Sequence, residues 1–287
     1  MKGRKNRRIC DLGYFSELLN NPAQTLMVLL LALPGRLMAI SAHEFAHAWV
    51  ADRCGDPTAR NLGRLTMNPL KHLDLLGTLM MVLIGFGWAK PVPVNPRNYR
   101  NYRRDDLKVS LAGIVMNLIL FLLGCALLYA AVGAALKSAG SNTFADVCYL
   151  TPYRGETVFV NDGSYLPVSA LLKDAPYLSD YLIKPMFGEI PGYIYTMVMY
   201  FTLTNLVLAV FNLIPVPPLD GYHVLNDTLL RRRQLFVSPR TAQIAMGVLY
   251  ILMFTGVTGY LISQVRDVAF SGIGSLAGTI FHALGIL

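Results

Sequence analysis

Hydrophobic and polar positions in this chain are sorted into long blocks rather than alternated. Apolar runs cover Thr25–Met38, Leu107–Leu136, Tyr193–Ile214 and Ala242–Ile262. Each comes near the ~20 residues that a helix needs to cross a hydrocarbon core of ~30 Å. At least three of them read as full spans. The first run does not stop at Met38 but continues as AISAHEFAHAWVADRCG, a helix to about Asp52 that Gly55, Asp56 and Pro57 end. Residues 11–23 read as a short interfacial helix. Pro34–Gly35 permit a helical hairpin, with 14–33 entering and 36–52 returning to the same side. That arrangement would reconcile the basic N-terminus with the basic residues after the helix.

Between the first two blocks, Thr58–Asp106 is punctuated by NPLKHLD, LLGTLMMVLIGFGWAK and PVPVNPRN. Alternating prolines at 91, 93 and 96 forbid a regular helix and favour extended chain. Leu79–Val94 therefore reads as a re-entrant strand or hairpin, tolerable in lipid only against protein or a water-filled cavity. The tail VAFSGIGSLAGTIFHALGIL either spans or lies in the interface. The expected fold is an all-α polytopic membrane protein with about four to six transmembrane helices and a re-entrant strand or hairpin near its site. Residues 1–287 form one integral membrane domain in this reading, with an extracytoplasmic loop at 138–191.

Composition agrees with membrane residence: 54% of the 287 residues are hydrophobic, only 15% are charged, and the mean hydropathy is +0.45. A net charge of +8 raises the question of an anionic partner. Its distribution answers in terms of topology. Arg53, Arg60 and Arg64 follow the first block; Arg97, Arg100, Arg103 and Arg104 precede the second; Arg231, Arg232, Arg233 and Arg240 separate the third from the fourth. Ser138–Pro191 instead carries Arg154, Lys173 and Lys184 against Asp146, Glu156, Asp162, Asp174, Asp180 and Glu189. By the positive-inside rule this acidic loop is outside and the basic loops are cytoplasmic, so nucleic-acid binding is set aside. The lipid bilayer is the expected partner of the apolar blocks. Cys10, Cys54, Cys125 and Cys148 have no metal spacing and read as isolated thiols. A cleaved signal is not expected, because polar DLGYFSELLNNPAQ separates MKGRKNRRIC from the first apolar run.

The chemistry lies in HEFAH. His43 and His47 are four residues apart and share one face of a helix, with Glu44 beside them. In an H-E-x-x-H pattern the two imidazoles bind Zn²⁺ and the glutamate is a general base. Each residue alone would more often be structural, but together in an apolar helix they are costly and point to function. A catalytic zinc also needs a third protein ligand and an open position. That ligand should lie near the cytoplasmic end of another block, where Asp220 in NLIPVPPLDGYH stands. Pro215, Pro217 and Pro218 break the helix there and can turn the carboxylate inward. The plainer alternative for Asp220 is a helix N-cap. His223 is a candidate outer partner of the metal rather than a ligand, and His72 and His282 read as structural.

HEFAH in an apolar helix, GWAKPVPVNP, a helix opening with AGIVMN, and NLIPVPPLDG occur in that order over residues 38–230. Together they resemble the site-2 protease family of intramembrane zinc metalloproteases. The resemblance implies that His43, His47 and Asp220 bind Zn²⁺ and that Glu44 is the catalytic base. It places the family's Asn and Pro on Asn212 and Pro215, with Gly221 after the ligand. Ile114 departs from the Pro that the family often has after Ala-Gly. Asn117 and Asn212 are candidates for substrate binding or for stabilising the oxyanion, the alternative being interhelical hydrogen bonding.

The implied substrate is a transmembrane protein or peptide that must be locally unwound before attack, since helical carbonyls are already hydrogen-bonded. The implied location is a prokaryotic plasma membrane, with the active site toward the cytoplasm. A metal transporter would need polar ligands along a path across several spans, yet Lys, Arg, Asp, Glu and His are scarce within Leu107–Ala135 and Tyr193–Ile214. A noncatalytic metal-binding protein has no evident use for Glu44. Neither the cleavage trigger nor the oligomeric state is written in the sequence.

Overall fold

Sequence blocks become helices in the computed structural model, which describes residues 22–84, 87–139, 189–229, 238–255 and 257–284. In chain order they are α1 (Pro22–Arg53), α2 (Leu75–Ile84), α3 (Tyr102–Ala139), α4 (Glu189–Asn212), α5 (Asp220–Thr228), α6 (Pro239–Phe254) and α7 (Val257–Ala283). The only pairing of extended chain among the described residues is a single antiparallel bridge between Leu73 and Ala89. Two helical stretches, Tyr102–Ala131 and Gly192–Asn212, are long and apolar enough to cross a membrane. Gln243–Leu252 with Val257–Ile280 would be a third if that pair, bent by 67°, is one span. Residues 140–188 of the acidic loop, the Arg231–Arg233 cluster and residues 1–21 lie outside the described residues.

Three expectations change. First, α1 runs without interruption through Pro34 and Gly35, so the hairpin reading of that segment fails. Proline removes one ladder hydrogen bond. Gly35 meanwhile lets α4 come close: a Cβ there would stand 2.8 Å from the backbone nitrogen of Phe201. Second, Leu79–Ile84, expected in a strand or hairpin, is helical. Asp74 caps it, its carboxylate accepting the Gly77 N–H at 2.7 Å, and the strong helix formers Leu79, Met80 and Met81 continue it. Only the proline-rich continuation is extended. Third, the last apolar run breaks between α6 and α7, and the glycine-rich tail is helical within α7. At the break Thr255 and Thr258 both donate to the Leu252 carbonyl, at 3.2 and 3.5 Å, which competes with helix continuation.

The chain's packing divides into two units. One comprises the described parts of Met1–Leu30, Leu37–Asn117 and Val207–Ser263. Its framework is the C-terminal half of α1, where Ala39, Ala42 and Ala46 are buried at helical spacing and leave room for neighbouring backbone. Ala51 and Cys54 pack with Tyr99 and Val109, while Ala48 and Ala59 pack with Val92. The chain loops from α1 to α3 through this packing. Gly77 and Gly87 make the loop possible: a Cβ on Gly77 would overlap the Trp88 carbonyl, and one on Gly87 would overlap that of Gly77.

The second unit comprises Leu31–Arg36 and the described parts of Leu118–Leu206 and Gln264–Leu287. Phe121 and Phe270 meet edge to face at 5.5 Å, and Gly124 admits the Thr202 side chain. Thr196, Thr202 and Asn205 are buried, but each donates to the carbonyl four residues back, which suits polar groups in an apolar helix.

Asp56, fully buried just past α1, ties the loop to the helix end. Burial works against its charge, but hydrogen bonds from the Asn95 N–H, the Thr58 hydroxyl and the Asn98 amide outweigh that and lower its pKa. A carboxylate with a depressed folded pKa stabilises the fold above its ordinary value of 3.8 and loses that contribution as pH falls through the folded value. The stability gap between the protein and Asp56→Asn, measured by thermal unfolding in detergent, is therefore expected to shrink below about pH 4 and to be constant near neutrality.

Candidate active site

Helix α1 delivers His43 and His47 to one face, and each imidazole is anchored by its Nδ1. His43 Nδ1 donates to Asn117 Oδ1 at 2.9 Å, and His47 Nδ1 donates to the Val109 carbonyl at 2.7 Å, both acceptors lying on α3. These bonds fix the tautomer, so both Nε2 lone pairs point forward. Asp220 comes from the far side of the α4–α5 turn. Prolines 215, 217 and 218 cannot donate to a helical ladder, so α4 ends at Asn212 and the chain winds through tight turns until α5 starts at Asp220. The N-cap of α5 is Leu219, with no side-chain cap bond. Asp220 is thus free of the capping role that the sequence left open, and its carboxylate is turned on the histidines.

The three ligating atoms form a nearly equilateral triangle. His43 Nε2 and His47 Nε2 are 3.0 Å apart, and Asp220 Oδ2 is 3.3 Å from each. For a tetrahedral zinc with bonds of ~2.0–2.1 Å, ligand-to-ligand distances are about 3.3 Å. The electrostatics agree with the geometry. Two imidazole lone pairs and a buried carboxylate oxygen with no hydrogen-bond donor face one another, an arrangement that a cation reconciles. His43, His47 and Asp220 form the one group of three or more potential metal ligands among the described residues. The residues present fit zinc.

Glu44, beside this triangle and half-buried, has Oε2 held at 2.7 Å by the Val92 N–H of the proline-rich strip. Asn117 is fully buried behind His43, with its Nδ2 unpartnered. Asn212 is half-buried at the end of α4 and donates to the Leu208 carbonyl at 3.0 Å. His223 stands outside the triangle and faces Asp106 at 3.5 Å, a hydrogen bond that raises the imidazole's pKa. His72 is fully buried, with Nε2 donating to the Thr66 carbonyl at 2.8 Å, the structural role expected of it.

The model of peptidase family M50 matches residues 31–256, which takes in every residue of this site. The chain belongs to peptidase family M50. It is 34% identical to YwhC of Bacillus subtilis (strain 168) over 196 residues, 67% of this chain and 65% of that protein. It is 26% identical to Rip2 of Mycolicibacterium smegmatis (strain ATCC 700084 / mc(2)155) over 264 residues, 84% of this chain and 80% of the relative. Both relatives carry zinc-metalloprotease names. The chain thus spans just under two thirds of YwhC's length. No solved structure matches it.

Two contributors to this M50 site escaped sequence reasoning. Val109 acts through its backbone carbonyl, which no side-chain pattern reveals. Gly113 left a trace in AGIVMN, but the physical reason is visible only in three dimensions. A Cβ there would overlap His47 Nε2 and stand 2.5 Å from His43 Cε1 and 2.6 Å from its Nδ1. Gly113→Ala is expected to push both imidazoles out of register. Zinc affinity, measured by competition with a chelator, should weaken by at least the roughly 10–100-fold typical of lost outer support. Wild-type affinity in that variant would show that α3 can yield at no cost.

Proposed function

We propose that this chain is an intramembrane zinc metalloprotease that hydrolyses peptide bonds within or near the transmembrane segments of other proteins. The observation that carries the reading is the triangle of His43 Nε2, His47 Nε2 and Asp220 Oδ2, drawn from segments 173 residues apart in sequence (220 − 47), with a glutamate beside it. His43, His47 and Asp220 would hold the zinc, which supplies Lewis acidity toward the scissile carbonyl and toward the attacking water. Glu44 takes the proton of that water and passes it to the leaving amine. The Val92 N–H engages only Oε2, leaving Oε1 for the proton. Asn117 orients His43 through Oδ1, an interhelical hydrogen bond, and because its Nδ2 is buried behind that imidazole a contact with the oxyanion requires the site to open on substrate binding. Asn212, at the α4 terminus eight residues before Asp220 (220 − 212), is placed in the same proposal as a substrate-backbone contact.

The zinc-metalloprotease names of YwhC and Rip2 support this reading, as do the long apolar helices. The proposed setting is the plasma membrane of a prokaryote, with four to six spans and the site toward the cytoplasmic side, because the basic connections flank it. Substrates are membrane-spanning proteins whose helices can be opened locally. The test is a comparison of membrane proteomes from host cells carrying the wild-type chain or Glu44→Gln. Uncleaved membrane-spanning proteins should accumulate in the variant. Identical membrane proteomes would remove the reading.

A further inference from the structure

Glu44 is gripped by a segment that is itself gripped elsewhere. Pro91, Pro93 and Pro96 have no N–H, so the strip from Pro91 to Pro96 can donate only through Val92, Val94 and Asn95. Two of those donors end on carboxylates carried by α1 and the turn after it. The Val92 N–H reaches Glu44 Oε2 at 2.7 Å, and the Asn95 N–H reaches Asp56 Oδ2 at 2.6 Å. The other Asp56 oxygen accepts from the Thr58 N–H at 3.2 Å, from the Thr58 hydroxyl, and from the Asn98 amide at 2.8 Å. The strip's opposite end is tethered by Arg64, whose guanidinium donates to the Lys90 and Pro91 carbonyls at 2.7 and 3.4 Å. Both tethering side chains are buried: Asp56 is 0% and Arg64 8% exposed.

Prolines at alternate positions fix φ near −65° and make such a strip stiff, so fixing its ends sets the position of its middle. We propose that Asp56 and Arg64 are positioning residues, holding the two ends of the Lys90–Asn95 strip in the register that puts the Val92 N–H on Glu44. The consequence for hydrolysis rests on Glu44 being the base: a carboxylate with one oxygen fixed presents the other in a constant direction. Neither tether touches the metal triangle. Their effect on the site passes through a backbone N–H, which accounts for a carboxylate and a guanidinium being buried beyond the end of α1 without touching the reacting groups.

The rival account is that the Val92 side chain alone seats the strip, since it packs with Ala48, Ala59 and Leu65. Amide hydrogen exchange of the zinc-loaded full chain in detergent, read residue by residue by mass spectrometry, separates the two. Asp56→Asn keeps an acceptor for Thr58 and Asn98 but turns an NH₂ on the Asn95 N–H. It should speed exchange at both Asn95 and Val92 by about tenfold or more, as expected for loss of charge-assisted bonds. Arg64→Met cuts the other tether and should speed Val92 while leaving Asn95 protected. Glu44→Ala should free Val92 alone. Retained zinc identifies the variants that are folded. If Val92 in either folded tether variant exchanges within about twofold of wild type, the positioning role is overturned. These readouts do not depend on proteolysis: a zinc-loaded wild-type chain that cleaves no membrane-spanning protein would sink the function proposed above and leave the exchange result standing.

Discussion

Glu44→Gln is expected to retain zinc and lose cleavage. The substitution keeps side-chain volume and an oxygen that can still accept from the Val92 N–H, so the strip stays docked. It removes only the ability to take a proton. A positioned general base contributes roughly 10²–10⁴-fold, and cleavage of a membrane-spanning substrate recovered from the variant cells should fall by that order. Zinc content, measured by mass spectrometry on the same preparation, should remain one per chain. Loss of activity together with loss of metal would assign Glu44 to holding the site. Retained activity would remove it from the mechanism.

Asp220→Ala should instead release the metal. The carboxylate is one of the three ligands proposed for the metal, and its Oδ2 is buried with no hydrogen-bond donor to share the load. The expected loss of zinc affinity exceeds the roughly 10–100-fold cost of removing an outer partner. The two imidazoles remain, but with their Nε2 atoms 3.0 Å apart and no anion between them the pair favours separation. Asn212→Ala is the internal control. Its amide is bonded to the Leu208 carbonyl within its own helix, so zinc affinity should not change. Equal zinc affinity in wild type and Asp220→Ala would separate that residue from the site.

The contrast between these variants tracks what was legible in the sequence. His43, Glu44 and His47 are local: four-residue spacing on a helix puts them together whatever the rest of the chain does. Asp220 was reachable because prolines 215, 217 and 218 dictate a break in the helix just before it. The two helices long and apolar enough to cross a membrane, Tyr102–Ala131 and Gly192–Asn212, followed from the apolar runs Leu107–Leu136 and Tyr193–Ile214.

What was not legible depended on contacts distant in sequence. The continuity of α1 through Pro34 rests on Gly35 meeting the α4 backbone, and proline read locally suggests a turn. The helix at Leu75–Ile84 was hidden because an apolar run of that length suits strand and helix alike, and the deciding signal was the Asp74 cap three residues before Gly77. Gly113 reads as a motif letter until the imidazoles are found where its Cβ would be. The Asp56 and Arg64 tethers were invisible for the same reason, since their partners are backbone atoms of another segment.

The most direct test of the whole account is a crystal structure of the purified chain with diffraction recorded on either side of the zinc absorption edge. One anomalous peak is expected within about 2.0–2.2 Å of His43 Nε2, His47 Nε2 and an Asp220 carboxylate oxygen. A triangle without such a peak in zinc-supplemented crystals, or a zinc held by the histidines with Asp220 turned away, would contradict it.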